Sequence, residues 1–144
     1  MALRTLVAAG APNELMSGAP LIYRIARGTV AFVWIYHGLV TKILLRDLDE
    51  IALLAAGGIS PAHQIPVLLA VGALEVLFGL LIFCLWRTRW PLLLSALAML
   101  GATLGVAVTA PHYLTTAFNA LTFNGAVAAL SVIALLAFSS SDTR

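Results

Sequence analysis

Glu75 and His37 are the residues in this chain best suited to holding or passing a proton, and each lies inside a long apolar stretch. Glu75 sits near the middle of Gln64–Trp86, and His37 sits within Leu21–Leu45. An ionised carboxylate at such a depth costs about 2.5 to 3.5 kcal/mol on insertion scales. Glu75 therefore demands a partner or a function. Two readings follow: a hydrogen-bond anchor that pairs with His37 or an asparagine and holds two helices in register, or a proton acceptor that orients a ligand.

Other polar residues converge on the same region. Trp34, His37, Gly38 and Thr41 follow the three-and-four spacing that puts them on one helix face. Lys42 is five places beyond His37 and is expected to point elsewhere and snorkel outward rather than meet Glu75. Gly72, Glu75 and Gly79 share a face, where small residues let a neighbouring helix approach. Ser95, Ala98, Gly101 or Ala102, Gly105 and Thr109 form a similar stripe, read as packing. Asn119 and Asn124 are read as interhelical glue or as ligand contacts. At 1.5 Å per residue, His37 and Asn124 lie roughly 12 Å from one end of their helices and Glu75 roughly 16 Å. Thr41, Lys42, Thr109, Asn119, His63 and His112 are shallower at the same end. A cavity open to that side and closing near the midplane would gather this set.

Several chemistries are disfavoured. Cys84 is the only cysteine, which excludes thiol–disulfide exchange within the chain, and it reads as a small apolar filler. The three histidines lack metal-ligand spacing, and no phosphate-binding loop or nucleophile elbow is present. The eight Lys and Arg residues are scattered at span ends, which argues against nucleic acid despite a pI near 9.1.

The elements that must position these residues are membrane spans. Of 144 residues, 62% are hydrophobic and 10% charged, and the mean hydropathy is +1.04, too apolar for a soluble domain. Four stretches of bilayer length run over Leu21–Leu45, Gln64–Trp86, Trp90–Ala110 and Thr116–Phe138. Backbone groups in lipid must be satisfied within a segment, so the spans are helices and the fold is an all-α transmembrane four-helix bundle. Residues 21–138 form its membrane domain, flanked by a flexible or surface-lying tail (1–20) and a polar tail (139–144). Pro66 and Pro91 are assigned to first turns, and Pro111 closes the third helix. Asp47 and Glu50 make a capping-box-like start, and Gly57 and Gly58 a stop. Between them the sequence predicts a short interfacial helix, either a lid or a plain connection.

Arg4, Arg24 and Arg27 lead into the first span, Arg87 and Arg89 join the second and third, and Arg144 ends the chain, against Lys42 and Arg46 on the other side. The positive-inside rule then puts both termini in the cytoplasm, in a bacterial-type inner membrane.

The stretch Trp34–Lys42, WIYHGLVTK, followed by DLDEIALLAAGG and a second span with Gly-x-x-Glu, resembles the DoxX-like family of small membrane proteins. The resemblance covers Arg24 to about Asn124, with His37, Gly38, Lys42 and Glu75 as its strongest markers and Phe118 and Asn119 opening the last helix. The family's common motif has proline where this chain has Thr41, so a kink expected in relatives is not expected here. The resemblance implies a four-helix bundle and an association with quinone-linked oxidoreductases or with the assembly of other membrane proteins.

The leading expectation is an accessory or binding subunit that holds a small amphiphile, a quinone or lipid-like compound, in a cavity floored by Glu75. His37 would share the proton, Trp34 and Phe118 would line the walls, and Thr41, Asn119 and Asn124 would stand nearby. The alternatives are a non-catalytic scaffold partner of another membrane protein or of an oxidoreductase, and a proton-coupled transporter, for which four helices leave little room unless the chain forms a homo-oligomer. Independent catalysis has the least support.

Overall fold

The computed structural model describes residues 11–117 and 119–141, with side chains over 18–117 and 119–138. Helix α1 spans Ala11–Tyr36 and continues without a break as a π-helical segment, His37–Leu44. The others are α2 (Leu48–Ala56), α3 (Pro61–Cys84), α4 (Trp90–Thr109), a 3-10 turn at Pro111–Leu114, and α5 (Ala120–Ser141). There is no strand among the described residues. Helices α3, α4 and α5 are each long and apolar enough to cross a membrane, and the α1–π segment with α2 makes a fourth candidate, bent by 90°. The protein is an all-α membrane bundle. Large apolar side chains such as Leu77, Leu100, Leu104 and Leu136 are exposed around it, as a lipid surroundings requires.

Several boundaries differ from expectation. Residues 1–10, with Arg4, lie outside the described residues, as do Phe118 and 142–144 with Arg144; from Ala11 the segment assigned to a tail is helical and runs into the first span. The second span starts at Pro61, so Pro61 takes the first-turn role and Pro66 lies inside the helix. The fourth helix starts at Ala120 rather than Thr116 because Asn119 caps it, its Oδ1 accepting from the Thr122 amide at 2.8 Å. Pro91 sits in the first turn of α4 and Pro111 follows its end, as predicted. Cys84 is not a packed filler: it is exposed at the last position of α3.

Neighbouring helices meet in the order α3, α1, α5, α4, and α3 and α4 scarcely touch, so the bundle is a ring with one open seam. Glycine explains the α1–α3 contact. A Cβ added to Gly72 would lie 2.8 Å from the Gly38 carbonyl oxygen, and one on Gly79 would lie 2.8 Å from that of Ala31. The backbones meet because neither position has a side chain. The stripe predicted on the third span does not pack this way. Its first member, Ser95, is buried beside Leu92, Ala96 and Met99, but Gly101 and Gly105 are exposed with open space around them.

Arg27, expected to flank the membrane, is wholly buried. Its guanidinium donates to the carbonyls of Ile82 at 2.8 Å, Leu85 and Thr88 at 2.8 Å, and to the Tyr23 hydroxyl at 2.7 Å. The Tyr23 hydroxyl in turn donates to the Trp86 carbonyl. The Ile82 carbonyl belongs to the last turn of α3 and those of Leu85 and Thr88 to the loop after it, where Leu85 also accepts from the Thr88 amide and hydroxyl. One cation therefore ties α1 to the end of α3, where the helix dipole also favours it. Above it, Val30, Ile82, Leu92 and Ala134 are fully buried and form a dry apolar layer across the bundle.

Candidate functional site

The π-helical segment determines the site. Its backbone bonds span five residues, as in the Leu45 amide to Val40 carbonyl bond of 2.9 Å that ends it. In an α-helix, residues five apart diverge by about 140° around the axis. In a π turn they stack. Lys42 therefore shares a face with His37, contrary to the snorkelling expectation, and is only 5% exposed. Its Nζ lies 3.3 Å from Glu75 Oε1 and 3.1 Å from His37 Nδ1. Thr41 donates its hydroxyl to the His37 carbonyl within the same segment, so the helix departs from regular geometry without proline.

Glu75, projecting from α3 between the two close-contact glycines, places Oε2 3.0 Å from His37 Nδ1. The fourth member comes from α2, where Glu50 Oε1 lies 3.2 Å from His37 Nε2 and Oε2 lies 2.9 Å from Lys42 Nζ. Each carboxylate thus faces both nitrogen-bearing side chains. With an imidazolium at His37 the four charges cancel. Moving that proton to Glu75 leaves the sum at zero. The cluster can pass a proton between ring and carboxyl without creating net charge in the bilayer, which is the condition for holding ionisable groups there.

Sequence reasoning missed Glu50. Its spacing from Asp47 suggested a capping box, but only half of one forms: Asp47 Oδ1 accepts from the Asp49 amide at 2.9 Å, while Glu50 turns into the bundle. The interfacial helix thus delivers a site residue, and the plain-connection reading does not account for it. Burial pushes the Glu50 carboxyl up, but hydrogen bonds from His37 and Lys42 and their charges outweigh it and hold the pKa down at about 2. After α2 the chain reverses at Gly57 and Gly58, the latter in the left-handed region at φ 87°, and Arg46 makes the preceding turn at φ 51°.

These groups form one wall of a chamber of about 700 Å³ that opens at the α2 end of the bundle. Trp34, Thr41, Asn119 and Asn124 also line it, so all the site residues predicted from sequence except Phe118, which lies outside the described residues, border one space. Phe123 is the aromatic partner that was missed; its ring stacks on His37 with centroids 5.8 Å apart. Asn124 joins α5 to α4 through a bond to Thr103 Oγ1 of 3.2 Å, as interhelical glue should. Asn119 does not: its bonds are to Thr116 and Thr122, within its own turn. Trp34 donates to Ser95 Oγ at 2.9 Å, and Ser131 donates to the same oxygen at 3.1 Å, which ties α1, α4 and α5 together beneath the chamber. His63 and His112 are exposed near the mouth and bond or stack locally, with Ser60 and Tyr113. The Lys42 ammonium occupies the position among the carboxylates that a cation would take, and no described group of His, Cys, Asp and Glu is arranged to hold a metal.

A polytopic helical bundle with two carboxylates, a lysine and a histidine clustered in the wall of an open chamber defines the class of membrane protein. This chain belongs to the DoxX-like family, whose sequence profile matches residues 31–132. That range runs from the last turns of α1 into α5 and includes all four members of the cluster. No curated protein and no solved structure gives a significant match.

Proposed function

We propose that this protein is a binding or accessory subunit that holds a small amphiphile, a neutral head such as a quinone, in the chamber above Glu75. The observation that carries the reading is the chamber itself, about 700 Å³ with His37, Lys42, Glu50 and Glu75 on one wall and Met99, Ala102 and Val106 on the other. That volume is in the range of small-molecule sites, as is the mixture of apolar lining with a few convergent polar groups. Asp47 and Asp49 stand at the mouth, so the lining carries four carboxylates against one lysine and one histidine and disfavours an anionic head. His37 and Glu75 would share one proton and meet the head by hydrogen bond.

The apolar layer of Val30, Ile82, Leu92 and Ala134 favours binding over transport, because it seals the chamber from the Arg27 end. The proposed setting is an inner membrane with both termini cytoplasmic, which puts the chamber mouth on the far side, and with a membrane oxidoreductase as the partner class. The test is titration of the purified protein with quinone analogues. Saturable binding that weakens at least tenfold in Glu75→Gln and His37→Ala is the expected result. Equal affinity in all three proteins removes both residues from the site.

A further inference from the structure

The open seam between α3 and α4 contains a second cavity, of about 320 Å³, lined by Trp34, Val71, Leu74, Glu75, Phe78, Leu94 and Ala98. Apart from the carboxylate, that lining offers hydrocarbon and aromatic surface. Its rim faces outward, with Leu74 65% and Leu94 46% exposed, at the level of the membrane-spanning helices. Trp34, Glu75 and Ala98 line both this cleft and the chamber. The Trp34 indole stands at the boundary, held by its bond to Ser95 and by a T-shaped contact with Phe78 at 4.9 Å.

From this juxtaposition we infer that the cleft is a bilayer-side entrance that takes the hydrocarbon tail of the chamber's ligand. The inference rests on the binding role proposed above and adds the ligand's shape and route. Lipid and cleft are equally apolar, so the cleft supplies no hydrophobic attraction of its own. Its effect is to remove a cost. A head can reach Glu75 while its tail stays in hydrocarbon, whereas a ligand confined to the aqueous mouth would have to draw its tail through the acidic rim. A single-chain amphiphile fits this arrangement: a compact, neutral, hydrogen-bonding head beside Glu75 and one tail leaving past Trp34 and Phe78 between α3 and α4.

The experiment compares decyl-substituted and methyl-substituted benzoquinone on the full-length protein in nanodiscs. Binding is read from Trp34 fluorescence with Trp86 and Trp90 replaced by phenylalanine. Val71→Phe narrows the cleft without altering the chamber lining, and Val71→Ala widens it. Narrowing should weaken the decyl compound by at least about tenfold, equivalent to pulling roughly two methylenes out of hydrocarbon. It should leave the methyl compound unchanged, and widening should preserve both. If Val71→Phe leaves decyl binding unchanged or weakens both compounds equally, or Val71→Ala also loses the decyl compound selectively, the tail does not lie in the cleft, although the head site stands. If neither compound binds the parent protein, the binding role itself fails, and the tail route with it.

Discussion

The Nζ of Lys42 lies 3.1 Å from Nδ1 of His37, one π turn earlier in the same segment, and both side chains point at the same two carboxylates. Two basic side chains at that distance are tolerable because Glu50 and Glu75 surround them. Removing one member leaves the others buried and unbalanced.

Lys42→Met should therefore destabilise the folded protein by about 3 to 5 kcal/mol, the usual result of removing one partner from a buried ion pair. Thermal unfolding in detergent measures this. Loss of Lys42 with no change in Tm would mean that its ammonium is solvated rather than set among the carboxylates.

Glu50 makes the attachment of α2 sensitive to acid. Its carboxyl is held at about 2 against an ordinary 4.5, so the folded state favours the ionised form. The resulting stabilisation is complete above about pH 4.5 and is lost as pH falls towards 2. Amide protection across 48–56, with the intrinsic exchange rate at each pH divided out, should fall over that window in the parent protein. In Glu50→Gln, exchange should already be faster at neutral pH and show a flatter response.

Arg27→Met should cost about 2 to 3 kcal/mol, since the Ile82 and Thr88 carbonyls lose a buried donor while Leu85 keeps the Thr88 amide and hydroxyl. Arg27→Lys keeps the charge but lacks the planar fork, and should recover only part of the loss. The readout is denaturant-induced unfolding of the detergent-solubilised protein. Full recovery by lysine would indicate that charge alone matters there.

Glycines on the two faces should respond oppositely. Gly72→Ala puts a methyl 2.8 Å from the Gly38 carbonyl oxygen and 2.9 Å from Lys42 Cβ, forcing α1 and α3 apart at about 1 to 3 kcal/mol. Gly101→Ala meets nothing within 4 Å and should be neutral or stabilising by up to about 1 kcal/mol. Melting temperatures of the two variants, measured side by side, check the contrast.

Much of this architecture could be read from the chain. Apolar runs of bilayer length located α3, α4 and α5 to within four residues, although α1 begins ten residues before Leu21, and the Gly72–Glu75–Gly79 spacing correctly identified a close-contact face. The pairing of Glu75 with His37 followed from the cost of leaving a carboxylate alone in lipid. A phase of 3.6 residues per turn misplaces Lys42, since nothing in HGLVTKIL announces a π segment. Glu50 was hidden by a local alternative, since the same spacing from Asp47 serves a capping box. Arg27 reads as a flank because arginine near the start of a span usually is one. Its burial depends on where α3 ends, a tertiary fact. The stripe on α4 divides: Ser95 packs inside and Ala98 and Ala102 line the chamber, whereas Gly101 and Gly105 are exposed with no neighbour against them.

The layer formed by Val30, Ile82, Leu92 and Ala134 has an electrical consequence. Voltage across a membrane falls mainly where water and ions do not reach, and the chamber above this layer is open at the α2 end. Most of the potential difference then drops between the serine pair and Arg27, leaving the carboxylate cluster close to the potential of the solution at the mouth. A charged molecule entering the chamber from the mouth should accordingly cross little of the potential, so its access is nearly indifferent to the voltage across the membrane.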